Sequence, residues 1–215
     1  MFLMPSAGIC TDPSNSVETN ASYRSRYENT MNGKRFYNIE PVKNHNAWDM
    51  IKWSLTRKRA KWPEWVELEP GDNPPKRVEK GIWYTFVNHD TVLIQADGMN
   101  ILTDPIWSMR AGIYSWLGPK RVVPPGIAFE QLPPIDIVLI SHNHYDHMDI
   151  PTLKRLVKRD NPLILTGLGN KSTLLNGGIS HVRELDWWQS FSKGNIEIFF
   201  APRVIFPAAG CPTII

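Results

Sequence analysis

Ile135-Asp136-Ile137-Val138-Leu139-Ile140-Ser141-His142-Asn143-His144-Tyr145-Asp146-His147 is the stretch from which the rest of the chain is best read. Its opening, residues 135–140, is an almost unbroken apolar run of strand length. That predicts a strand buried on both faces of a sheet. Its close places three histidines and an aspartate at the mouth of that strand. His142 and His144 stand two apart in an extended segment, so their imidazoles point the same way and can grip one ion. Asp146 and His147 follow as the loop turns and can face a second ion beside the first, an O/N set suited to zinc. Two metals about 3.5–4 Å apart can share a hydroxide. Half of the chain's 6 histidines fall in this loop, which is why a metal centre is preferred here to scattered solvated rings. The ordinary explanations, solvation or a satisfied hydrogen bond, are kept for His45 and His181. His89, in a turn between two expected strands, is read as structural, with a supporting place behind the metal ligands as the alternative.

Working outward, residues 82–87, 91–96 and 100–103 read as short strands, with Asp97-Gly98 as the hairpin turn between the last two. After the histidine loop, residues 151–158 read as a helix with Asp149 as its cap and Pro151 at an early position, where a missing N–H costs little. Strands are expected at 163–166 and 196–201, with a short helix at 171–175. Strands alternating with helices predict an α/β layered domain beginning near residue 81. Upstream, a helix is expected from Ala47 to about Lys61, with Asn46 as N-cap, Asp49 in the first turn and Pro63 just past the end. Trp48, Ile51 and Leu55 share one of its faces. The expected organisation is a flexible arm over 1–33, poor in apolar anchors, a helical basic lead-in over 34–80, the layered domain over 81–202, and an apolar tail over 203–215.

The chain has 215 residues, 42% of them apolar and 21% charged, with a formal charge of +3, which fits one globular domain. That balance is too weakly basic to indicate nucleic acid. Cys10 and Cys211 lie near opposite ends and form neither a zinc clip nor a redox pair. Met1-Phe2-Leu3-Met4 lacks a basic flank and meets Pro5 at once, so a signal peptide is not expected. No apolar run approaches the roughly 20 residues that span a bilayer, so a soluble or peripheral protein is expected. Membrane contact would be at the surface, through the segment from Ala47 to Trp65. There Arg57-Lys58-Arg59 and Lys61 adjoin Trp62 and Trp65, a composition suited to anionic headgroups. Cations at a helix C-terminus also complement its dipole, the plainer explanation.

The pattern His142-x-His144-x-Asp146-His147 resembles the signature of the metallo-β-lactamase superfamily. Its flanks resemble one branch of it, the N-acyl-phosphatidylethanolamine-hydrolysing phospholipase D enzymes and their bacterial relatives. These are Leu102-Thr103-Asp104-Pro105-Ile106, Gly118-Pro119-Lys120-Arg121, Leu132-Pro133-Pro134-Ile135-Asp136 and Glu184-Leu185-Asp186-Trp187-Trp188, with Gly33-Lys34-Arg35-Phe36-Tyr37-Asn38 and Asn46-Ala47-Trp48-Asp49 upstream. The likeness runs over about residues 33–202. It implies an α/β fold, the amino-terminal half of the metallo-β-lactamase αββα sandwich, and two Zn2+ ions. His142 and His144 would bind the first zinc, Asp146 and His147 the second, with Asp146 also the catalytic residue that positions the nucleophile. Asp104 would brace the metal loop from behind, the alternative being a strand-end turn with Pro105. Tyr145 is expected to pack. The implied substrate is the phosphodiester of an N-acylated phospholipid, with lactones and other phosphoesters as alternatives.

The sequence also departs from the family. There each zinc takes a further histidine from later in the chain, and a still later aspartate bridges both ions. Here His181 is the last histidine and Asp186 the last aspartate, and the twelve residues after Arg203 are uncharged and mostly apolar. The expectation is therefore a sandwich whose second half is missing through a frameshift or misplaced stop, with a divergent terminal strand as the alternative. Four ligands divided between two ions leave each with two, against three protein ligands at a catalytic zinc. On this reading the complete form is a di-zinc hydrolase and the chain as written a non-catalytic fragment.

Overall fold

The computed structural model describes residues 2–5, 31–32, 35–36, 47–58, 61–69, 71–112 and 114–201. In chain order the strands are β1 (Phe2–Pro5), β2 (Met31–Asn32), β3 (Arg35–Phe36), β4 (Ile82–Asn88), β5 (Thr91–Ala96), β6 (Met99–Thr103), β7 (Ile137–Ile140), β8 (Leu163–Gly167), β9 (Val182–Leu185), β10 (Ser190–Lys193) and β11 (Ile196–Phe199). The helices are α1 (Ala47–Thr56), α2 (Ile150–Asp160) and α3 (Lys171–Asn176). The chain divides into two compact units, residues 58–184 and residues 1–57 with 185–215.

The larger unit is built on a six-stranded sheet of order β4-β5-β6-β7-β8-β9. Strands β4, β5 and β6 form an antiparallel meander, and β6, β7 and β8 run parallel. The fold is of the α/β class expected. Asp97 and Gly98 both take positive φ (46° and 70°), as the tight turn between β5 and β6 requires. All four residues of β7 are buried, as a strand covered on both faces must be. Around it Leu93, Leu102, Val138, Ile140, Leu153, Leu156, Ile164 and Leu174 close the core. Helix α2 carries Pro151 in its first turn, buries Thr152, Leu153 and Leu156, and ends in a left-handed Asn161 (φ 49°). Asp149 stands at the N-cap, yet its carboxylate does not cap the helix. It is drawn away by Ser108, whose N–H and Oγ donate to it at 3.1 and 2.8 Å, and by the Thr152 hydroxyl.

Residues 66–69 and 71–79, read as part of the lead-in, bond to the rest of the larger unit. Val66 N–H donates to the Val122 carbonyl, and Arg77 forms an ion pair with Asp136. The fully buried Asn100 amide donates to the carbonyls of Lys76 and Pro134 at 3.0 and 2.7 Å and accepts from Gln95 at 2.8 Å. Asp136 spends its carboxylate on Arg77 and on Asn100 N–H, and the strand expected from 135 begins only at 137.

In the other unit β11 pairs antiparallel with β10 and β1, and Leu185, Trp187 and Phe200 form a small core. Phe2–Pro5 and Met31–Asn32 are thus strands within the segment read as an arm; its other residues, the 203–215 tail, His45 and both cysteines lie outside the described residues. Helix α1 stops at Thr56 rather than near Lys61. Its Trp48, Ile51 and Leu55 are exposed, so the tertiary packing that supplies most helix stability does not extend it. The Thr56 hydroxyl bonds the Lys52 carbonyl at 2.8 Å. Strands β9 and β10 went unpredicted, since Val182-Arg183-Glu184-Leu185 and Ser190-Phe191-Ser192-Lys193 hold too few apolar residues to show a period. No helix among the described residues is long and apolar enough to cross a membrane.

Candidate metal centre

The site lies in the larger unit, where the parallel strands β6 and β7 release the chain at neighbouring points. Asp104 N–H donates to the Leu139 carbonyl, which holds the two strand ends together. Asp104 itself is buried with φ 36°, a left-handed conformation that a non-glycine residue adopts at some cost. Beyond β7 the N–H groups of His147 and Met148 both return to the His144 carbonyl, at 3.0 and 2.8 Å. That turn folds His147 back over His142, with ring centroids 4.0 Å apart, while His144 stands edge-on to His142 at 4.5 Å. Asp146 Oδ2 lies 3.6 Å from His147 Nε2. The four residues expected as ligands are thus brought together.

Behind them Asp104 fixes which nitrogens face outward. Ser141 N–H donates to Asp104 Oδ1 at 2.7 Å, the Ser141 hydroxyl donates to Oδ2 at 2.7 Å, and His147 Nδ1–H donates to Oδ2 at 3.0 Å. A carboxylate only accepts, so the Ser141 hydroxyl proton is committed to it. The contact of 2.9 Å between Ser141 Oγ and His142 Nδ1 must then be a bond donated by the ring. Both His142 and His147 therefore carry a proton on Nδ1, which turns Nε2 of each ring outward. Burial pushes the His142 imidazole down from 6.5 to about 4, helped by repulsion from His147 and His144, so this ring is neutral at physiological pH. Burial opposes charge on His147 too, but the bond to Asp104 and the carboxylates of Asp104, Asp146 and Asp90 outweigh it and raise its pKa. For Asp146, burial favours the protonated form, yet His147 and the bond from His89 prevail and lower its pKa.

Three further residues enter the site. His89 and Asp90 form the two-residue turn between β4 and β5, and His89 Nε2 lies 2.9 Å from Asp146 Oδ2. His89, Asp90 and His147 each offer a ligand atom, all within 4.8 Å of one another. Ser141 supplies the relay to His142. Sequence reasoning gave no role to Asp90 or Ser141, and no local spacing reveals them, because the strand pairing alone brings residue 90 beside 147. Tyr145 is 46% exposed rather than packed. His181 bonds the Asn161 carbonyl at 3.2 Å, away from the cluster. A buried neutral imidazole with its lone pair outward, a second ring oriented by a carboxylate and an ionised aspartate fit a divalent metal by donor chemistry and charge.

Residues 99–205 match the family described as "Beta-lactamase superfamily domain". The chain is 40% identical over 119 residues to N-acyl-phosphatidylethanolamine-hydrolyzing phospholipase D 1 of Caenorhabditis elegans, a match covering 52% of this chain and 33% of that protein. It is 34% identical over 138 residues to the mitochondrial N-acyl-phosphatidylethanolamine-hydrolyzing phospholipase D of Saccharomyces cerevisiae, covering 64% and 28%. A metal-dependent hydrolase of Anaeromyxobacter is 30% identical over 105 residues, covering 48% and 34%. The chain spans about a third of the length of the curated relatives it matches.

Proposed function

We propose, from the premise that this chain belongs to the metallo-β-lactamase superfamily, in the branch similar to N-acyl-phosphatidylethanolamine-hydrolysing phospholipase D, that its histidine loop is the zinc-binding half of a phosphodiesterase site. The observation that carries this reading is the convergence of His142, His144, His147 and Asp146, with His147 held from behind by the buried carboxylate of Asp104. His142 and His144 hold one zinc and Asp146 with His147 a second. When bound, the zincs supply Lewis acidity toward a phosphoryl oxygen and activate water near neutral pH.

The chain's own groups do the rest. Asp104 and Ser141 keep the His142 and His147 lone pairs pointed at the site. Asp146, ionised because of its histidine neighbours, accepts a hydrogen bond from the attacking water and orients it. The proposed substrate is an N-acylated phospholipid, by similarity to relatives bearing that name. Its lipid nature is matched by the exposed Trp48, Trp53, Leu55, Trp62 and Trp65, with the Arg57 guanidinium 4.4 Å over the Trp53 ring. We assign this segment, Ala47 to Trp65, to anionic membrane contact and no part of the chain to nucleic acid.

Elemental analysis of the purified chain, with a panel of phosphodiesters and lactones run on wild type, His142→Ala and Asp146→Ala, tests the proposal. Zinc lost from His142→Ala is the expected result. Absence of zinc from the wild type rejects the metal reading. Because four ligands shared by two ions fall short of a catalytic zinc, the Asp146 role is read from zinc content: a full wild-type complement in Asp146→Ala rejects it, and lactone opening without phosphodiester cleavage rejects the substrate class.

A further inference from the structure

The turn joining β4 to β5 has only two residues, a place where glycine or asparagine meets the backbone requirement at least cost. This chain puts His89 there at φ 42°, followed by Asp90, and both side chains are about half exposed, 50% and 57%. Their polar atoms nonetheless face the histidine loop. Asp90 Oδ2 lies 3.5 Å from His89 Nε2 and 3.5 Å from His147 Nε2, and Asp146 Oδ2 lies 3.6 Å from His147 Nε2 and 2.9 Å from His89 Nε2.

Donor atoms placed 2.0–2.2 Å from a tetrahedral ion are separated from one another by about 3.3–3.6 Å. Of the six separations among these four atoms, three lie within that interval, and a fourth, the His89–Asp146 hydrogen bond, need only lengthen by about half an ångström when its proton gives way to an ion. His89, Asp90 and His147 also offer ligand atoms all within 4.8 Å of one another, and Asp146 joins them through His89 and His147. His147 is committed through Nδ1 to Asp104, and its Nε2 faces Asp90 Oδ2 and Asp146 Oδ2 at 3.5 and 3.6 Å. Two carboxylates also balance the charge of a divalent cation, and an imidazole adds none once it ligates through a deprotonated nitrogen.

We propose that His89 and Asp90 are ligands of the same divalent cation as Asp146 and His147, so that the β4–β5 turn and the histidine loop together form a four-donor N2O2 site. This rests on the reading of the loop as metal-binding. His142 and His144 remain for a separate position. The half-exposed turn can close by side-chain rotation without disturbing the strands on either side.

The test uses the whole 215-residue chain, labelled with 15N and loaded with 113Cd, together with zinc titrations of wild type, His89→Ala, Asp90→Asn and His142→Ala. One-bond cadmium coupling should appear at Nε2 of both His89 and His147. His89→Ala and Asp90→Asn should each weaken one zinc-binding step at least roughly ten-fold, while His142→Ala weakens the other step. Cadmium coupled to His147 but not to His89, with wild-type affinity in both turn variants, overturns the proposal and leaves the loop's metal reading standing. An affinity loss in His89→Ala without coupling at His89 also overturns it, since His89 then merely positions Asp146. Failure of the unaltered chain to bind either metal sinks both readings. Should His89→Ala fail to fold by circular dichroism, the coupling in the unaltered chain decides.

Discussion

Replacing Asp104 separates stability from metal binding. Its carboxylate accepts three hydrogen bonds, two from Ser141 and one from His147, all between 2.7 and 3.0 Å. Asp104→Ala leaves the Ser141 backbone N–H without a partner, which costs about 1–3 kcal/mol for a buried group, and forfeits two charge-assisted bonds. Part of that loss is recovered because Ser141 Oγ and His147 Nδ1, already 3.5 Å apart, can bond each other. A net destabilisation of about 3 kcal/mol is expected. Asp104→Asn keeps an acceptor for Ser141 N–H and most of the shape, so about 1 kcal/mol is lost. Its amide nitrogen or single oxygen cannot, however, serve both the Ser141 hydroxyl and the His147 Nδ1–H. His147 then moves its proton to Nε2, the atom needed as a ligand, and zinc affinity falls roughly 10–100-fold. Urea unfolding of the metal-free variants, zinc titration and 15N spectra of the His147 ring measure the three quantities. Wild-type zinc affinity in Asp104→Asn, with His147 still protonated at Nδ1, would refute the reasoning.

Four other outcomes are expected. Because the folded His142 titrates near 4 rather than 6.5, the unfolded chain binds the extra proton first, so stability is full above pH 6.5 and falls as pH drops toward 4. The loss is about 3 kcal/mol, read by urea unfolding between pH 7 and 4; a slope unaffected by His142→Gln would contradict it. Asn100→Leu strands the Lys76 and Pro134 carbonyls and the Gln95 amide, and should cost about 3 kcal/mol in the same assay. A Cβ at Gly118 (φ +104°) would stand 2.0 Å from the Ala111 carbonyl oxygen, so Gly118→Ala should lose more than about 2 kcal/mol. Changing Arg57, Lys58 and Arg59 to Gln should weaken co-sedimentation with anionic vesicles by about 1 kcal/mol per residue; unchanged binding at low salt would reject the membrane contact.

The parallel core and the histidine loop were legible because the signals are local: residues 137–140 are apolar without interruption, and four metal-type side chains fall within six positions after them. Asp97-Gly98 was legible for the same reason, a turn written in two adjacent residues. What stayed hidden depends on pairing between distant segments. Asp90 meets His147 across a 57-residue separation fixed by the register of β4, β5 and β6, and Ser141 acquires its relay only when Asp104 arrives from β6. Asp149 illustrates a local rule overridden: the residue stands at the N-cap as read, but Ser108, forty-one positions earlier, claims its carboxylate. Helix α1 shows the opposite failure, since its amphipathic pattern ran further than its packing.

Strand β4 stands at one end of the described six-stranded order and reads Ile82-Trp83-Tyr84-Thr85-Phe86-Val87-Asn88, with no charge and no proline. Ile82, Trp83, Tyr84 and Phe86 are all exposed. Natural edge strands normally carry gatekeepers, a lysine or proline that spoils the fit of a neighbouring chain, and β4 has none. In concentrated solution it is a template on which a second molecule can lay down its own copy of the same segment in cross-β stacking. The bulge of β4 at Phe86–Asn88 and the Gly126 N–H on the Val87 carbonyl guard only the far end of the strand, and a single Thr85→Lys substitution should lengthen the lag before thioflavin-positive aggregates form.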